Sequence, residues 1–500
     1  MKINQLPEDI RPFIIPEANG SMSYRCLGCD KHFEINELLY TCPECGTVLM
    51  LEDTEFSRYS SISGDMWRKI FDYRRMINDM PLKGIFRYYE FIAPIIPLDR
   101  IVYLGEGHTS IVKANSRLKD MVGREFFFKA DGLNPSASFK DRGMACALSF
   151  INYFASKNKI AKILAICAST GDTSAAAALY ASYLGDFLES AVLLPQGKVT
   201  AQQLAQPLGA GARVMEIPGV FDDCMKVVEA LAENYHVALL NSKNSWRILG
   251  QESYSYETAQ DFDYETGDKV IVLPIGNAGN ITAVMSGFLK FYKAGIIRDL
   301  PKIVGVQSEH ADPVYRYYLE GNPDKRVFKP VNVKASVAQA AMIGNPVSMP
   351  RVIKVVDEYN NTAPEMKVFV VQVTEQEIMD SMIIANRNGN VVCTQGGESM
   401  AGMKRAVEQG IVKHDETGVL DSTAHMLKFL SFQEKYFNDS FEPEFNVKPI
   451  EGLKNFPRLV KPAALEKYPA PGNPLDGKDM EEFVSKMSAE IASILGLEKR

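Results

Sequence analysis

The chain has 500 residues, of which 46% are hydrophobic and 23% are charged, and its formal net charge is −7 at pH 7. This length exceeds what one small core organises, so we expect two or more domains, and the composition is that of a globular protein rather than a disordered or fibrous one. The acidic balance gives no general attraction to nucleic acid or to an anionic membrane, and no apolar run is long enough to span a bilayer.

The first motif in the chain is a pair of cysteine turns, Cys26-x-x-Cys29 and, twelve residues later, Cys42-x-x-Cys45. Each turn presents two thiolates to one metal ion, and two such turns close a tetrahedral site, so the spacing predicts a structural zinc ribbon. Three aromatic residues are available for its small core: Tyr24, Phe33 and Tyr40. Disulfides or a ribbon without metal are the alternatives, and the segment lacks the basic cluster of a nucleic-acid module.

The remaining four cysteines lie in apolar contexts, which indicates reduced thiols rather than a disulfide framework. The first residues, Met1 to Gln5, lack the basic start and the apolar core of a signal peptide. We therefore expect a cytoplasmic enzyme with no nucleic-acid or membrane partner.

Strands and helices alternate through most of the chain, after a charged and aromatic segment, residues 51–98, in which we expect one or two helices. The predicted strands are 126–130, 163–167, 191–195, 213–217, 270–274, 303–307 and 368–371. The predicted helices are 144–150, 175–183, 201–208, 222–235 and 479–497. Apolar strands that alternate with helices indicate an α/β fold with parallel sheets covered on both faces. Ligands of such folds bind at the carboxyl ends of the strands.

Lys140 lies between the first of these strands and the first of these helices, in the sequence Ser-Phe-Lys-Asp-Arg-Gly of residues 138–143. It is therefore expected at the N-terminal end of the helix, where the helix dipole and the neighbouring Arg142 favour its neutral amine. A neutral amine can condense with a carbonyl group. Taken alone, such a stretch is more often a solvated helix cap, and the remaining loops decide between the two interpretations.

Three further loops follow predicted strands. The hydroxyl loop, residues 168–174, offers four hydroxyl groups and a glycine to an anion at a helix N-terminus. The glycine loop, residues 276–280, has two glycines that let the backbone approach a phosphate, in neither the Walker nor the dinucleotide-binding spacing. The arginine loop, residues 241–247, combines amide, hydroxyl and guanidinium groups. Each loop taken alone is also compatible with an ordinary capped turn.

Together with Asp421-Ser422-Thr423-Ala424-His425 near the end of the chain, these loops resemble the threonine synthases, pyridoxal-phosphate (PLP) enzymes that share their fold with the tryptophan synthase beta chain. The resemblance covers residues 87–429 and rests on five motifs in the same order, and a preceding ribbon is also familiar from some members. It implies an α/β, two-domain, tryptophan synthase beta-like protein (PLP fold type II) with a small N-terminal zinc ribbon. The implied division is 1–55 for the tail and ribbon, 56–140 for a helical lead-in and the first part of the large PLP domain, 141–245 for the small domain, and 246–500 for the rest of the large domain and the C-terminal helix.

The activity that the resemblance implies is that of a lyase of threonine biosynthesis. Such an enzyme converts O-phospho-L-homoserine and water to L-threonine and phosphate by elimination and β-addition, as a cytoplasmic homodimer. The nearest alternative is replacement on a phosphoserine-type substrate, as in a cysteate synthase. An alternative from another class is a catalytically dead relative that binds a metabolite or nucleic acid, and the presence of both Lys140 and Arg247 argues against it.

The resemblance also implies roles for single residues. Lys140 would form the Schiff base with the cofactor and carry protons between successive carbons. The cofactor would be held through its phosphate by Gly276, Asn277, Ala278, Gly279 and the neighbouring Asn280, through its ring hydroxyl by Asp172, and at its pyridine nitrogen by Thr423. The substrate phosphate would be held by Ser169, Thr173, Ser242, Arg247 and Asn280. A hydroxyl at the pyridine nitrogen makes the ring a milder electron sink, which suits elimination and replacement better than transamination.

The chain departs from the family pattern at several positions. Ser110 replaces a proline, Ser136-Ala137 replaces Thr-Gly, Ser245 replaces a proline in the arginine loop, and Met426 replaces a glycine. None of these changes removes a functional side chain. They bear on the fine shape of the substrate pocket more than on the type of reaction.

Overall fold

The structure of the chain, a computed structural model, describes residues 1–168, 171–196, 201–218, 221–235, 237–463 and 465–499. Its contacts divide the chain into two units, Met1–Ile450 and Glu451–Arg500. Within the described ranges, none of the helices combines the length and the apolar character that crossing a bilayer requires.

Strands occur only in the first unit of the described chain. They are β1 (Met22–Cys26), β2 (His32–Glu34), β3 (Leu49–Asp53), β4 (Ile111–Lys113), β5 (Phe126–Lys129), β6 (Ile163–Ala168), β7 (Leu188–Pro195), β8 (Arg213–Ile217), β9 (Val237–Leu239), β10 (Lys269–Pro274), β11 (Lys302–Ser308), β12 (Val368–Val373) and β13 (Thr417–Asp421). Each strand predicted from the sequence is present, with bounds that differ by no more than a few residues.

Helices cover the sheets, and the last helix belongs to the second unit. They are α1 (Arg11–Ile14), α2 (Gly64–Met76), α3 (Tyr89–Ile92), α4 (Ser116–Val122), α5 (Lys140–Asn158), α6 (Asp172–Tyr183), α7 (Ala201–Gly209), α8 (Phe221–Asn234), α9 (Ser245–Gln251), α10 (Ser253–Asp261), α11 (Gly279–Lys293), α12 (Pro313–Leu319), α13 (Met349–Thr362), α14 (Glu375–Arg387), α15 (Thr394–Glu408), α16 (Leu430–Phe437) and α17 (Gly477–Leu495). The predicted helices are confirmed, including α2 and α3 in the segment 51–98.

The larger sheet has six strands in the order β12-β11-β10-β13-β5-β4, all parallel except for the antiparallel pair β4 and β5. Every residue of β11 is buried, and so are the five residues 270–274 of β10. Strands that are buried on both faces need a continuous run of apolar residues, and such runs are the reason why β10 and β11 could be predicted from the sequence. The predicted α/β fold is confirmed.

A second sheet has four parallel strands in the order β8-β7-β6-β9. A third, antiparallel sheet of order β2-β1-β3 carries the cysteine turns near the N-terminus. The division of the chain at residues 55, 140 and 245 stays a prediction.

The loops singled out in the sequence all lie at carboxyl ends of parallel strands. The hydroxyl loop follows β6, the arginine loop follows β9, the glycine loop follows β10, and Thr423 follows β13. The two parallel sheets therefore place their chemically active loops where this type of fold binds ligands.

Candidate active site

One cavity of about 690 Å³, including its open mouth, is lined by residues that follow strands of both parallel sheets. The cavity brings together most of the residues that the resemblance implies: Lys140, Asp172, Ser242, Arg247, Gly276, Asn277, Ala278, Gly279, Asn280 and Thr423. Thr173 is half-buried on the first turn of α6 and is not among the described lining residues. Ser169 lies outside the described residues.

Lys140 is the first residue of α5, and the chain before it is fixed against the end of β13. The backbone amide of Phe139 donates to the carbonyl of Thr423 at 2.8 Å, and the amide of His425 donates to the carbonyl of Ala137 at 3.0 Å. These two bonds hold Lys140 beside Thr423 although the two residues are far apart in sequence.

Ala137 occupies a position where the family pattern has glycine, and its φ is 64°. This is the left-handed region, which a residue with a Cβ atom adopts at a cost of about 1–2 kcal/mol. The departure from the family pattern therefore introduces backbone strain three residues before the active-site lysine.

The electrostatic setting of Lys140 favours a neutral amine. Burial and, to a smaller extent, the positive charge of Arg247 lower its pKa to about 7, against the opposing effect of Asp172 and Asp421. The sequence analysis attributed the neutral amine of Lys140 partly to the charge of Arg142, and this attribution was wrong, because the nearby positive charge that lowers the pKa is that of Arg247. The guanidinium of Arg142 is turned into a buried ion-pair cluster.

That cluster lies beneath the site and involves the residues packed around Arg142. Arg142 pairs with Asp131 at 2.7 Å and with Glu257 at 2.8 Å, and Lys129 pairs with Asp261 at 2.7 Å. The cations Arg142 and Lys129 lower the pKa of Glu257 far below its usual range against the opposing effect of burial. The charge of Arg142 is thus paired with buried carboxylates, and the cluster acts on the site through Asp421, whose pKa is raised by burial and by Asp131 and lowered by Arg142 and Lys129.

The glycine loop has the shape of an anion cradle. Ala278 has φ 62°, and α11 begins at the next residue, Gly279. A Cβ atom at Gly276 would lie 3.0 Å from the Cα of Ala341, and one at Gly279 would lie 2.9 Å from the Cδ1 of Ile248. Among the described residues, no hydrogen-bond acceptor is recorded for the amides of residues 276–279. Unpartnered amides in a left-handed turn at a helix N-terminus are a typical phosphate site.

Arg247 is buried, and its Nη1 donates to the carbonyl of Leu240 at 3.0 Å. Its Nε has no hydrogen-bond partner, and no carboxylate within the described part of the chain forms an ion pair with it. Burial lowers its pKa to about 10. A buried guanidinium without an acidic partner is poised to bind an anion, since an unpaired buried charge is costly.

Asp172 pairs with a lysine that the sequence analysis did not single out. The Nζ of Lys428 lies 2.9 Å from the Oδ1 of Asp172 and donates to the carbonyl of Ser136 at 3.0 Å. Lys428 is a single lysine after the Asp421–His425 motif, so the sequence carried no signal for its partner.

Asn280 also has a partner that the sequence did not reveal. Its side-chain amide donates to the Oδ2 of buried Asp421 at 2.8 Å, while burial and the nearby Asp131 hold the pKa of Asp421 well above its usual range. The amide oxygen of Asn280 remains available to a ligand donor. Thr423 is buried too, with its Oγ1 3.5 Å from the Sγ of Cys393, so its neighbours there are neutral.

The four ribbon cysteines have their sulfur atoms within 4.8 Å of one another. The distance is 3.3 Å from Cys26 to Cys45 and 3.7 Å from Cys29 to Cys42, and none of the four is in a disulfide. Ligands of a tetrahedral zinc ion with Zn–S bonds near 2.3 Å are about 3.8 Å apart. The sulfur arrangement therefore fits a metal ion of that kind.

Several known proteins are similar in sequence to this chain. The model of the family described as pyridoxal-phosphate dependent enzyme matches residues 102–422. The threonine synthase of Methanocaldococcus jannaschii is 35% identical over 409 residues, which cover 81% of this chain and 93% of that protein. The threonine synthase of Methanosarcina acetivorans is 35% identical over 407 residues, covering 81% of this chain and 91% of that protein.

A plant relative and a solved structure extend the comparison. Chloroplastic threonine synthase 2 of Arabidopsis thaliana is 31% identical over 413 residues, covering 82% of this chain and 77% of that protein. The crystal structure of threonine synthase from Escherichia coli superposes with a TM-score of 0.61 at 18% identity, covering 82% of this chain and 90% of that one. At this identity the superposition shows the fold.

Proposed function

The chain belongs to the pyridoxal-phosphate dependent enzymes and, within them, to the threonine synthases, and we propose that its cavity converts O-phospho-L-homoserine and water to L-threonine and phosphate. The observation that carries this assignment is the presence of two separate anion sites around one lysine. The glycine loop offers backbone amides, and Arg247 offers a buried guanidinium without an acidic partner. One site suits the cofactor phosphate and the other suits a phosphorylated substrate.

The residues present fit the cofactor. The cradle at Gly276 and Gly279 has no room for side chains and presents unpartnered amides, Lys140 faces the same cavity, and the hydroxyl of Thr423 lies among neutral groups. PLP bound here would supply an electron sink for negative charge that develops on the substrate carbons. Asp172, anchored by Lys428, would meet the ring hydroxyl.

Lys140 is the group in the cavity suited to moving protons. With a pKa lowered to about 7, its Nζ is neutral in a large fraction of molecules near neutral pH. It would take the proton from the α carbon of the substrate and return protons at later carbons, because general acid–base catalysis is most effective with a pKa near the working pH.

Arg247 would bind the phosphate of the substrate and hold it while the bond to carbon breaks. The charge on the departing phosphate increases in that step, so a fixed guanidinium stabilises the transition state more than the ground state. Ser242 lines the same part of the cavity and would add a hydroxyl donor. Asn280, Thr173 on the first turn of α6 and Ser169, which lies outside the described residues, complete the proposed set.

The ribbon would hold one structural zinc ion on Cys26, Cys29, Cys42 and Cys45. Four thiolates fill a tetrahedral shell and leave no open position for chemistry. The amide of Gly28 donates to the Sγ of Cys26 at 3.2 Å, which supports a thiolate at that sulfur.

The proposed enzyme is a homodimer in the cytoplasm. The eight free thiols support a reducing compartment.

An absorbance spectrum tests the assignment at low effort. The purified protein is expected to show a visible band that sodium borohydride bleaches, and O-phospho-L-homoserine should change this band while L-threonine and phosphate accumulate in equal amounts. Phosphate release from O-phospho-L-serine alone would instead place the enzyme with the phosphoserine-type replacement enzymes.

A further inference from the structure

Arg351, at the start of α13, makes an unusual set of contacts for a buried arginine. Its Nε and Nη2 donate to the carbonyl of Leu49 at 2.9 and 2.6 Å. Nη1 donates to the carbonyl of Ser242 at 2.9 Å, and Nη2 donates to the carbonyl of Lys243 at 2.9 Å. Leu49 is the first residue of ribbon strand β3, whereas Ser242 and Lys243 belong to the arginine loop. One side chain thus ties the cysteine ribbon to the loop that carries Arg247.

Further hydrogen bonds join the same two segments. The hydroxyl of Ser245 donates to the carbonyl of Leu49 at 2.8 Å, and the indole of Trp246 donates to the hydroxyl of Tyr24 at 3.0 Å. The amide of Leu239, at the end of β9, donates to the hydroxyl of Tyr40 at 2.9 Å. The tyrosines expected to form a small ribbon core therefore also bind the chain just before the arginine loop, at Leu239, and near the end of that loop, at Trp246.

Arg351 also reaches the segment next to the glycine loop. Its Nη1 donates to the hydroxyl of Ser348 at 3.0 Å, and the amide of Ser348 donates to the carbonyl of Asn277 at 3.1 Å. The guanidinium therefore has neighbours at the ribbon, at the arginine loop and beside the glycine loop. It is fully buried, and within the described residues it forms no ion pair with a carboxylate.

We infer that Arg351 is a positioning residue that makes the ribbon strand β3 part of the substrate-phosphate site. This inference rests on the proposed function, because the proposed function assigns the arginine loop to the binding of the substrate phosphate. Arg351 touches neither substrate nor cofactor in this arrangement. Its rigid fork of donors fixes the backbone of Ser242 and Lys243, and this sets where the side chains of Ser242 and Arg247 stand.

The departure at Ser245 supports the same conclusion. The family pattern has proline here, which has no hydroxyl to donate to Leu49. Ser245 is the first residue of α9, a position that accepts proline, and the preceding Asn244 has φ −65° and ψ 112°, as a residue before proline prefers. A change of Ser245→Pro is therefore compatible with the local backbone and removes one of the bonds to the ribbon.

The experiment uses the cofactor-loaded protein and inorganic phosphate as the probe, so that it does not depend on turnover. Isothermal titration gives the phosphate Kd, and hydrogen exchange reports on the amides of the arginine loop. Arg351→Met is expected to raise the phosphate Kd at least tenfold and to speed exchange in that loop. Arg351→Lys should restore part of the affinity, and Ser245→Pro should weaken phosphate binding by about two- to fivefold.

Arg74 provides the matched control. It is also a buried arginine that clamps an N-terminal segment, donating to the carbonyls of Ile14 at 2.9 Å and Phe13 at 2.8 Å, and it lines no part of the cavity. Arg74 also pairs with Glu90 at 2.6 Å, so Arg74→Met should destabilise the protein at least as much as Arg351→Met, because it leaves that carboxylate unpaired, and should still leave the phosphate Kd within twofold. Cofactor content should stay the same in all variants.

The outcomes separate this inference from the assigned reaction. The inference fails if Arg351→Met and Ser245→Pro bind phosphate as tightly as the wild type does. It also fails if Arg74→Met weakens phosphate binding as much as Arg351→Met does. In either case Arg351 has only a structural role, and the assignment of threonine formation is unaffected. If Arg351→Met does not fold, the result for Ser245→Pro decides. If the wild type forms no threonine yet the phosphate Kd responds as expected, the assigned reaction fails and the coupling of ribbon and anion site stands.

Discussion

The Nζ of Lys428 lies 2.9 Å from the carboxylate of Asp172, and the two residues belong to different strand-end loops of the cavity. The lysine follows β13 of the larger sheet, and the aspartate begins α6 beside the smaller sheet. The pair therefore connects the two sheets across the site. Both charges act on Lys140, because Lys428 lowers the pKa of that residue and Asp172 raises it.

Removing Lys428 should consequently shift the pH dependence of catalysis. In Lys428→Met, Lys140 loses a neighbouring positive charge and Asp172 loses its partner, and both changes raise the pKa of Lys140. Activity that needs neutral Lys140 increases with pH through that pKa, so the acidic limb of kcat, which reports on the substrate-bound enzyme in which this amine is free, should move upward by up to about one pH unit. Lys435→Met, which only breaks a pair with Glu442 at the surface, serves as the control. An acidic limb that stays at the same pH or moves to lower pH in Lys428→Met would contradict this electrostatic role of Lys428.

Lys140→Ala should abolish turnover and leave the fold intact. The loss removes the group that moves protons, an effect of at least about 10²–10⁴-fold in rate. Borohydride should also no longer attach the cofactor covalently to the protein. Lys157→Ala, an exposed position on the same helix, is expected to retain full activity. Near-normal rates in Lys140→Ala would remove the proposed mechanism.

Zinc should be present at one atom per chain. Cys42→Ser should reduce this content to a small fraction and lower the thermal stability, because the binding free energy of a structural metal contributes to folding. Cys224→Ser, which changes a buried thiol far from the ribbon in sequence, should keep its zinc. Elemental analysis of freshly purified, reduced protein decides, and an absence of zinc in the wild type would refute the metal assignment.

Ala137→Gly should not destabilise the protein. Relief of the left-handed strain contributes about 1–2 kcal/mol, and the greater flexibility of unfolded glycine costs about 0.5–1 kcal/mol, so the net change is a stabilisation of about 0–1.5 kcal/mol. Ala147→Gly, in the interior of α5, should lose about 1 kcal/mol or more. Thermal unfolding compares the two variants, and equal losses would show that the backbone at Ala137 is not strained.

The sequence predicted the parts of this molecule that depend on local pattern. Strands such as β10 and β11 are continuous apolar runs because both faces are buried, and the strand-end loops carry recognisable glycines and hydroxyls. The cysteine spacing likewise predicted the arrangement of the ribbon sulfurs. The short strands β9 and β13 were not predicted as elements, because three to five residues carry little periodicity.

Side-chain partners were beyond the reach of local pattern. Lys428 pairs with a residue 256 positions earlier in the chain, and Arg351 binds the carbonyl of Leu49 across 302 positions. Arg142 lies two residues after Lys140 in sequence, but its charge is engaged with Asp131 and Glu257. Such contacts depend on tertiary packing, and they cannot be predicted from the composition of the chain or from the spacing of its residues.

The central claim, that Arg247 holds the phosphate of the substrate, is tested most directly by the kinetics of Arg247→Ala with O-phospho-L-homoserine. Loss of a buried charge-assisted contact should cost about 2–5 kcal/mol. This corresponds to a decrease of about thirtyfold or more in kcat/KM, part of it in kcat because phosphate is the leaving group. The affinity for the cofactor should stay nearly unchanged, since the glycine loop holds the cofactor phosphate. A loss of less than about tenfold in kcat/KM, as expected for a surface ion pair worth about 0–1 kcal/mol, or a matching loss of cofactor affinity, would contradict the account.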